Sequence, residues 1–222
     1  TPLNAVLGFA QLMEIDRTEP PAPGQRRRLK LIRDAGEHLL QMIGDMLDLT
    51  RIEAGGMALV REPVALQDLA TQGLEMVRAS ADQAQLSLSL APGGADLVVQ
   101  ADRTRLLQVL LNLLSNAVKY SRPGGRVELR LSRGATSQAR IDVSDTGIGI
   151  AAAELPRIFE PFQRGSQARG SIEGAGIGLA VTRALVLLMD GSVEVASTPG
   201  QGTTFSVRLP LAAPVAPAPC AP

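Results

Sequence analysis

Tryptophan is absent from the 222 residues, and cysteine and histidine occur once each, as Cys220 and His38. A lone cysteine excludes an internal disulfide framework and a cysteine-based zinc site, and it suits a reducing compartment. A lone histidine leaves one position for any imidazole chemistry. Charge of one sign is also lacking, since 22 Lys+Arg balance 22 Asp+Glu. A chain without net positive charge has no general electrostatic hold on nucleic acid or anionic lipid. No apolar run approaches the ~20 residues that cross a bilayer, and no signal-peptide pattern opens the chain. These absences predict a soluble, cytoplasmic protein of one or two domains, long enough to bury a core.

What is present falls into two patterns. At the start, Leu3, Val6, Leu7, Ala10 and Met13 recur at helical spacings of three and four. The pattern begins with the first residues, so a helix truncated at its N-terminus is expected. Three prolines within residues 20–23 remove successive backbone donors, and 18–24 reads as a turn. From Gln25 to about Glu53, Leu29, Ile32, Gly36, Leu39, Ile43, Met46 and Thr50 form a heptad seam, which Leu40 and Leu47 widen. A hairpin dimerising into a four-helix bundle accounts for that width; a hairpin packed on its own chain is the alternative. The basic run Arg26, Arg27, Arg28 and Lys30 fits a solvated helix start, with contact to an acidic partner as the lesser reading.

Gly55 and Gly56 end that helix, and the period then changes. An extended connection over 57–64, an amphipathic helix over 67–85 and strands over 87–90 and 97–100 are expected. Asp102 is a predicted N-cap for a long helix to about Tyr120. Strands over 126–133 and 139–144, a helix over 177–189 and strands over 192–197 and 203–209 follow. Antiparallel strands with helices on one side make an α+β two-layer sandwich, preceded by the α-helical hairpin. Residues 212–222 contain four prolines and read as a linker or tail.

Four stretches stand out chemically. Asn112 and Asn116 lie at i and i+4 on one helix face with Lys119 a turn later, a geometry that directs two amides and an ammonium at hydrated Mg2+ and phosphate oxygens. The plainer alternative is a pair of surface asparagines. Lysine is nevertheless rare here, with Lys30 and Lys119 the only two among 22 basic residues. Asp145 opens DTGIGI at a strand end, where it can accept from an exocyclic amine while Gly147 and Gly149 let backbone approach a ring. By itself that is also a turn signal. FEPFQR carries Phe159, Phe162 and Arg164. GAGIGL carries Gly174, Gly176, Gly178 and Leu179 and leads into a helix whose N–H groups can hold phosphate. Its glycine spacing does not fit the dinucleotide-binding fingerprint.

In this order the stretches resemble the ATP-binding domain of sensor histidine kinases, within the wider gyrase, heat-shock-90, histidine kinase and mismatch-repair ATPase family. The asparagine stretch is similar to the N box, DTGIGI and GAGIGL to the two glycine boxes and FEPFQR to the F box. GQGTTF resembles the last glycine-rich motif, and the hairpin resembles the dimerisation and phosphotransfer domain. The resemblance implies a hairpin over 1–54, a connector over 55–62, an ATP-binding domain over 63–211 and a tail over 212–222. It implies Mg2+ held by Asn116 with Asn112 beside it, phosphate contacted by Lys119, and Tyr120 packed beside the nucleotide. Asp145 would read the adenine amine, partly through a water shared with Thr203. A lid over about 151–176 would be tethered by Phe159 and Phe162, with Arg164 near the phosphates.

The family's His-Glu pair stands just upstream of a Thr-Pro-Leu-Asn-like sequence, and this chain begins at Thr1-Pro2-Leu3-Asn4. The phosphoacceptor is therefore expected to be absent from these residues, and the chain by itself unable to autophosphorylate. Thr1 matches a position that helps orient a hydrolytic water in kinases with phosphatase activity. His38 falls at a c position of the second helix, where it is expected to face solvent and not to serve as acceptor. The implied partners are a second copy of the chain and a response-regulator receiver domain. No nucleic acid is expected, and a membrane only through segments outside these residues. Two alternatives belong to other classes. An ATP-hydrolysing clamp of the same superfamily carries a glutamate where Asn112 stands, because water attack needs a base. A nucleotide-binding regulator without transfer is the other.

Overall fold

The computed structural model describes residues 2–16, 18–134, 137–163 and 176–212. Thr1, Arg164 and Gly174, and most of the proline-rich tail, lie outside the described residues. The chain divides into two compact units, Thr1–Arg51 and Ile52–Pro222.

The first unit is a helical hairpin of α1 (Pro2–Ile15) and α2 (Pro23–Glu53). Asp16 closes α1, its Oδ1 accepting from Thr18 N–H at 2.8 Å and Glu19 N–H at 3.1 Å. The last proline of the turn starts α2, because a first helical residue has no use for an N–H. Gln25 Oε1 reaches back to the Ala22 N–H at 2.8 Å, and Gln25 N–H donates to Ala22 O at 2.9 Å. Gly36 is where the helices meet closely, since a Cβ there would stand 2.6 Å from Leu7 Cδ2. Arg33 Nη1 lies 2.7 Å from Glu14 Oε2 beside that contact. Val6, Phe9, Ile32, Leu39, Ile43 and Met46 remain 43–68% exposed. His38 is half-buried on α2 rather than turned to solvent. Its face also carries Asp45, two turns on, whose carboxyl is pushed up chiefly by burial, with His38 among the groups that pull it down.

The second unit runs β1 (Glu62–Ala65), α3 (Leu66–Gln83), β2 (Ser87–Leu90), β3 (Val98–Ala101), α4 (Arg103–Tyr120), β4 (Arg126–Arg133) and β5 (Gln138–Asp145). A 3-10 turn, Leu155–Arg157, then precedes α5 (Gly178–Leu188), β6 (Ser192–Thr198) and β7 (Gly202–Pro210). The main sheet has the order β2-β4-β5-β7-β6, and β1 pairs with β3 in a separate two-stranded sheet. One pairing departs from the antiparallel expectation: β2 runs parallel to β4. The reason is topological, because α4 lies between them in the chain and serves as the crossover that a parallel pair requires.

Alternation on the strands builds the core. Val127, Leu129 and Leu131 of β4, Ile141 and Val143 of β5, and Phe205, Val207 and Leu209 of β7 are buried on one face. Against them α4 buries Leu106, Leu113 and Leu114, each at 1% exposure or less, and each contributes roughly 1.5–3 kcal/mol. Gly73 of α3 lets Leu110 approach, its virtual Cβ lying 2.9 Å from Leu110 Cδ2. The opposite face of the sheet is polar: Arg140 Nε and Ser206 Oγ both donate to Asp142 Oδ1, at 2.8 and 2.5 Å, and Arg208 pairs with Glu194.

Two fastenings bind the entry of this unit to its helices. Asp102 caps α4 through Oδ1, which accepts from Arg105 N–H at 3.0 Å, and its Oδ2 accepts from Val60 N–H at 3.1 Å. Arg61 donates to Asp190 Oδ2 at 2.5 Å and to Leu188 O at 2.9 Å, at the end of α5.

Candidate functional site

Three elements of the second unit bring the chemically distinctive residues together. Asn112, Asn116, Lys119 and Tyr120 lie on the last two and a half turns of α4. Asn112 is joined to α5 by its Nδ2–H, which donates to the buried Thr182 Oγ1 at 2.7 Å. That bond leaves the amide oxygen on the side of Gly178, the first residue of α5, where any Cβ would overlap it. Gly178 is thus required by a close approach, and it puts an amide oxygen beside a helix N-terminus, a natural anion site. Asn116, half-buried one turn further, forms no side-chain hydrogen bond among the described residues. Lys119 Nζ stands 5.7 Å from the Tyr120 ring centre, at the end of α4 where the helix dipole favours a cation.

Opposite this helix pair, β5 ends in Asp145. The register places Asp145 directly across from Thr203 of β7, and Thr203 directly across from Ser197 of β6. Residues opposite one another on neighbouring strands share a face, and this polar row lies on the helix-facing side, continuing the column of Val143 and Phe205. Asp145 Oδ1 accepts from Gly147 N–H at 2.8 Å and Thr203 N–H at 3.3 Å. Its Oδ2 has no partner among the described residues. Burial raises the Asp145 pKa from its ordinary value, and the two backbone donors pull it partly back.

The loop after Asp145 is stitched on both sides. Ile148 N–H donates to Tyr120 O at 3.1 Å, and Gly200 N–H donates to Ile148 O at 2.7 Å. Gly149 has φ +71 and passes so close to Thr198 O that a Cβ would overlap it, and one on Gly147 would overlap Tyr120 O. Glycine is required at both positions because the loop packs directly against the end of α4 and the turn after β6. Ser197 Oγ accepts from Ile150 N–H at 2.8 Å and so joins the loop to the closing hairpin.

The phenylalanines divide. Phe159 packs edge-on against Phe205, ring centres 6.4 Å apart, with Arg183 over its face at 5.8 Å. The Phe162 ring is 65% exposed, and that residue is held through its backbone, N–H to Gly176 O at 2.9 Å. Leu179 is half-buried on α5. Sequence reasoning missed Thr182 and Ser197. The first is a buried β-branched residue inside a helix. The second was within reach, because strands expected over 192–197 and 203–209, joined by the short Pro-Gly-containing segment 198–202, bring 197 opposite 203.

The donor set fits a nucleotide: a half-buried carboxylate with one free oxygen, an amide beside the N-terminus of α5, and a second amide and an ammonium further along the same helix α4. Among the described residues no group of three or more His, Cys, Asp or Glu could hold a metal ion, so any cation site here would draw on amides and on the ligand's own oxygens. No helix among them is long and apolar enough to cross a membrane.

Comparison with known proteins gives the same reading independently. Residues 101–213 match the model for histidine kinase-, DNA gyrase B- and HSP90-like ATPases, and residues 1–55 match the His Kinase A phospho-acceptor domain. The circadian input-output histidine kinase CikA of Synechococcus elongatus is 44% identical over 99% of this chain, and the histidine protein kinase DivJ of Caulobacter vibrioides is 37% identical over 95%. The chain spans 30% and 35% of the lengths of those two proteins. Full-length ShkA in complex with AMPPNP superposes with TM-score 0.78 at 34% identity, over 98% of this chain and 44% of that one. The mycobacterial sensor histidine kinase MprB gives 0.58 at 33% identity, over 68% of this chain and 98% of that one.

Proposed function

The chain belongs to the sensor histidine kinase family, and from that premise we propose that it binds Mg-ATP and works as the kinase core of a two-component system. In this reading residues 1–54 dimerise, 55–62 connect, 63–211 bind nucleotide and 212–222 form a tail or linker. The observation that carries the nucleotide reading is Asp145, half-buried at the end of β5, with one oxygen fastened by two backbone N–H groups and the other without a partner among the described residues. Its Oδ2 accepts the adenine amine. Asn116 and the Asn112 amide oxygen face the cation and the terminal phosphates, and Lys119 offsets phosphate charge. The bound nucleotide with Mg2+ supplies the transferable γ-phosphoryl and the charge neutralisation that such transfers depend on. The residues of this chain contribute position and charge, not covalent chemistry.

Asn112 also favours transfer over hydrolysis. Its amide is committed to Thr182 and has no basic lone pair with which to activate water. The acceptor is a histidine of a phospho-acceptor helix, and the next acceptor is an aspartate of a response-regulator receiver domain. Incubation with γ-labelled ATP tests this. The 222-residue chain should bind ATP without labelling itself, and adding the family's His-Glu motif ahead of Thr1 should produce label on that histidine. Label on His38 would overturn the assignment of the acceptor, and none in the extended protein would overturn the kinase reading.

A further inference from the structure

We propose that Ser197 is a specificity-determining residue of this pocket: it takes the hydroxyl proton of Thr203, so that the base meets acceptors only and a 6-amino purine is chosen over a 6-oxo purine. The proposal rests on the adenine-nucleotide reading above.

Ser197 Oγ has three neighbours in hydrogen-bond range: Ile150 N–H at 2.8 Å, Gly202 O at 2.9 Å and Thr203 Oγ1 at 2.9 Å. The first can only donate and the second can only accept. A serine hydroxyl has one proton and two lone pairs. Its proton goes to Gly202 O and one lone pair to Ile150, so the bond to Thr203 must be received by the second lone pair. Thr203 is therefore the donor, and its hydroxyl has no proton left for the pocket.

The remaining donors of the row are committed as well. Gly147 N–H and Thr203 N–H both end on Asp145 Oδ1. What the row offers a ligand is Asp145 Oδ2 and the spare lone pairs of Thr203, both acceptors. An exocyclic amine, or a water donating to both, satisfies them. A carbonyl at the same place meets lone pair against lone pair, and discrimination against a group that leaves buried polar atoms unpaired is strong. Without Ser197 the Thr203 hydroxyl is free to rotate and donate, and the pocket accepts a 6-oxo group.

The test compares Mg-ADP with Mg-IDP, which differ at purine position 6 and, with it, in whether N1 accepts or donates, by calorimetric titration of the full chain. The unaltered chain should prefer ADP. Ser197→Ala should cut the preference about tenfold, mostly by admitting IDP, which is about the effect of one buried hydrogen bond. Ser197→Thr should keep the preference within about twofold. On a Thr203→Val background the Ser197→Ala change should leave the preference unaltered, because no hydroxyl remains to be turned. Ser197→Cys keeps the volume with weaker bonds; it should give an intermediate preference and decides the matter should Ser197→Ala fail to fold. Equal weakening of both nucleotides by Ser197→Ala, or the same loss of preference on both backgrounds, overturns the proposal alone. An unaltered chain that binds neither nucleotide overturns the underlying reading with it.

Discussion

Asn112 on α4 and Thr182 on α5 are joined by one hydrogen bond of 2.7 Å, and its direction decides which end of the amide faces Gly178. A threonine at 1% exposure thereby orients a group in the open site. Thr182→Val keeps the shape and removes the acceptor. Affinity for Mg-ATP should fall several-fold, and stability by about 1 kcal/mol, the usual worth of such a bond. Thr182→Ser should match the unaltered protein in both. Calorimetric titration and thermal unfolding measure the two quantities.

Gly178→Ala sets two effects against each other. Alanine is the better helix former, by at most about 1 kcal/mol at this first helical position, yet its Cβ would collide with the Asn112 amide oxygen. The collision should win, with net destabilisation and loss of nucleotide affinity. Asn112→Ala removes the atom that is struck, so in the double variant the penalty should shrink by at least about 1 kcal/mol. Urea unfolding of the four proteins in the cycle gives that coupling.

Asp145 gives a dependence on pH. Burial raises its folded pKa above that of the unfolded chain, so the native state binds the proton more tightly. Its favourable contribution is complete below the unfolded pKa and is lost as pH rises through the folded value. At neutral pH the charged carboxylate is a cost that adenine binding requires. Asp145→Asn should therefore raise the melting temperature at neutral pH and abolish adenine selectivity. That advantage should vanish in acid, across the window between the folded and unfolded values. Adenine affinity of the unaltered chain should begin to fall at a higher pH than an ordinary aspartate would give.

Ile43 and Leu39 are 47% and 43% exposed on α2. Ile43→Glu places a charge on the proposed dimer seam, where burial of an unpaired carboxylate is strongly unfavourable. Sedimentation should change from dimer to monomer, with ADP affinity within about twofold of the original. A variant that stays dimeric would remove this face from the assembly.

The second unit was largely legible because its elements repeat cleanly. Alternation over β4 and β7 and the helical face of α4 fix sidedness before any contact is known, and Asp102 marked the start of α4 as its bond to Arg105 requires. The parallel pairing of β2 with β4 was not legible, since period-two alternation has no sense of strand direction. The half-burial of His38 was missed for a related reason. Heptad lettering describes one seam, and α2 has side chains with partners off that seam. At the site, the motif residues announced themselves by type. Thr182 and Ser197 did not, because an isolated hydroxyl becomes informative only once its neighbours fix where its proton must go.

Asp102 serves two masters with its two oxygens, one holding the first turn of α4 and the other the backbone of Val60. Nearby, Arg61 grips the far end of α5. The two helices that carry Asn112 and Gly178 are thus moored at the stretch by which the chain enters this unit. Residues 60–61 are thereby hydrogen-bonded to the start of α4 and the end of α5 directly, and not by way of the sheet.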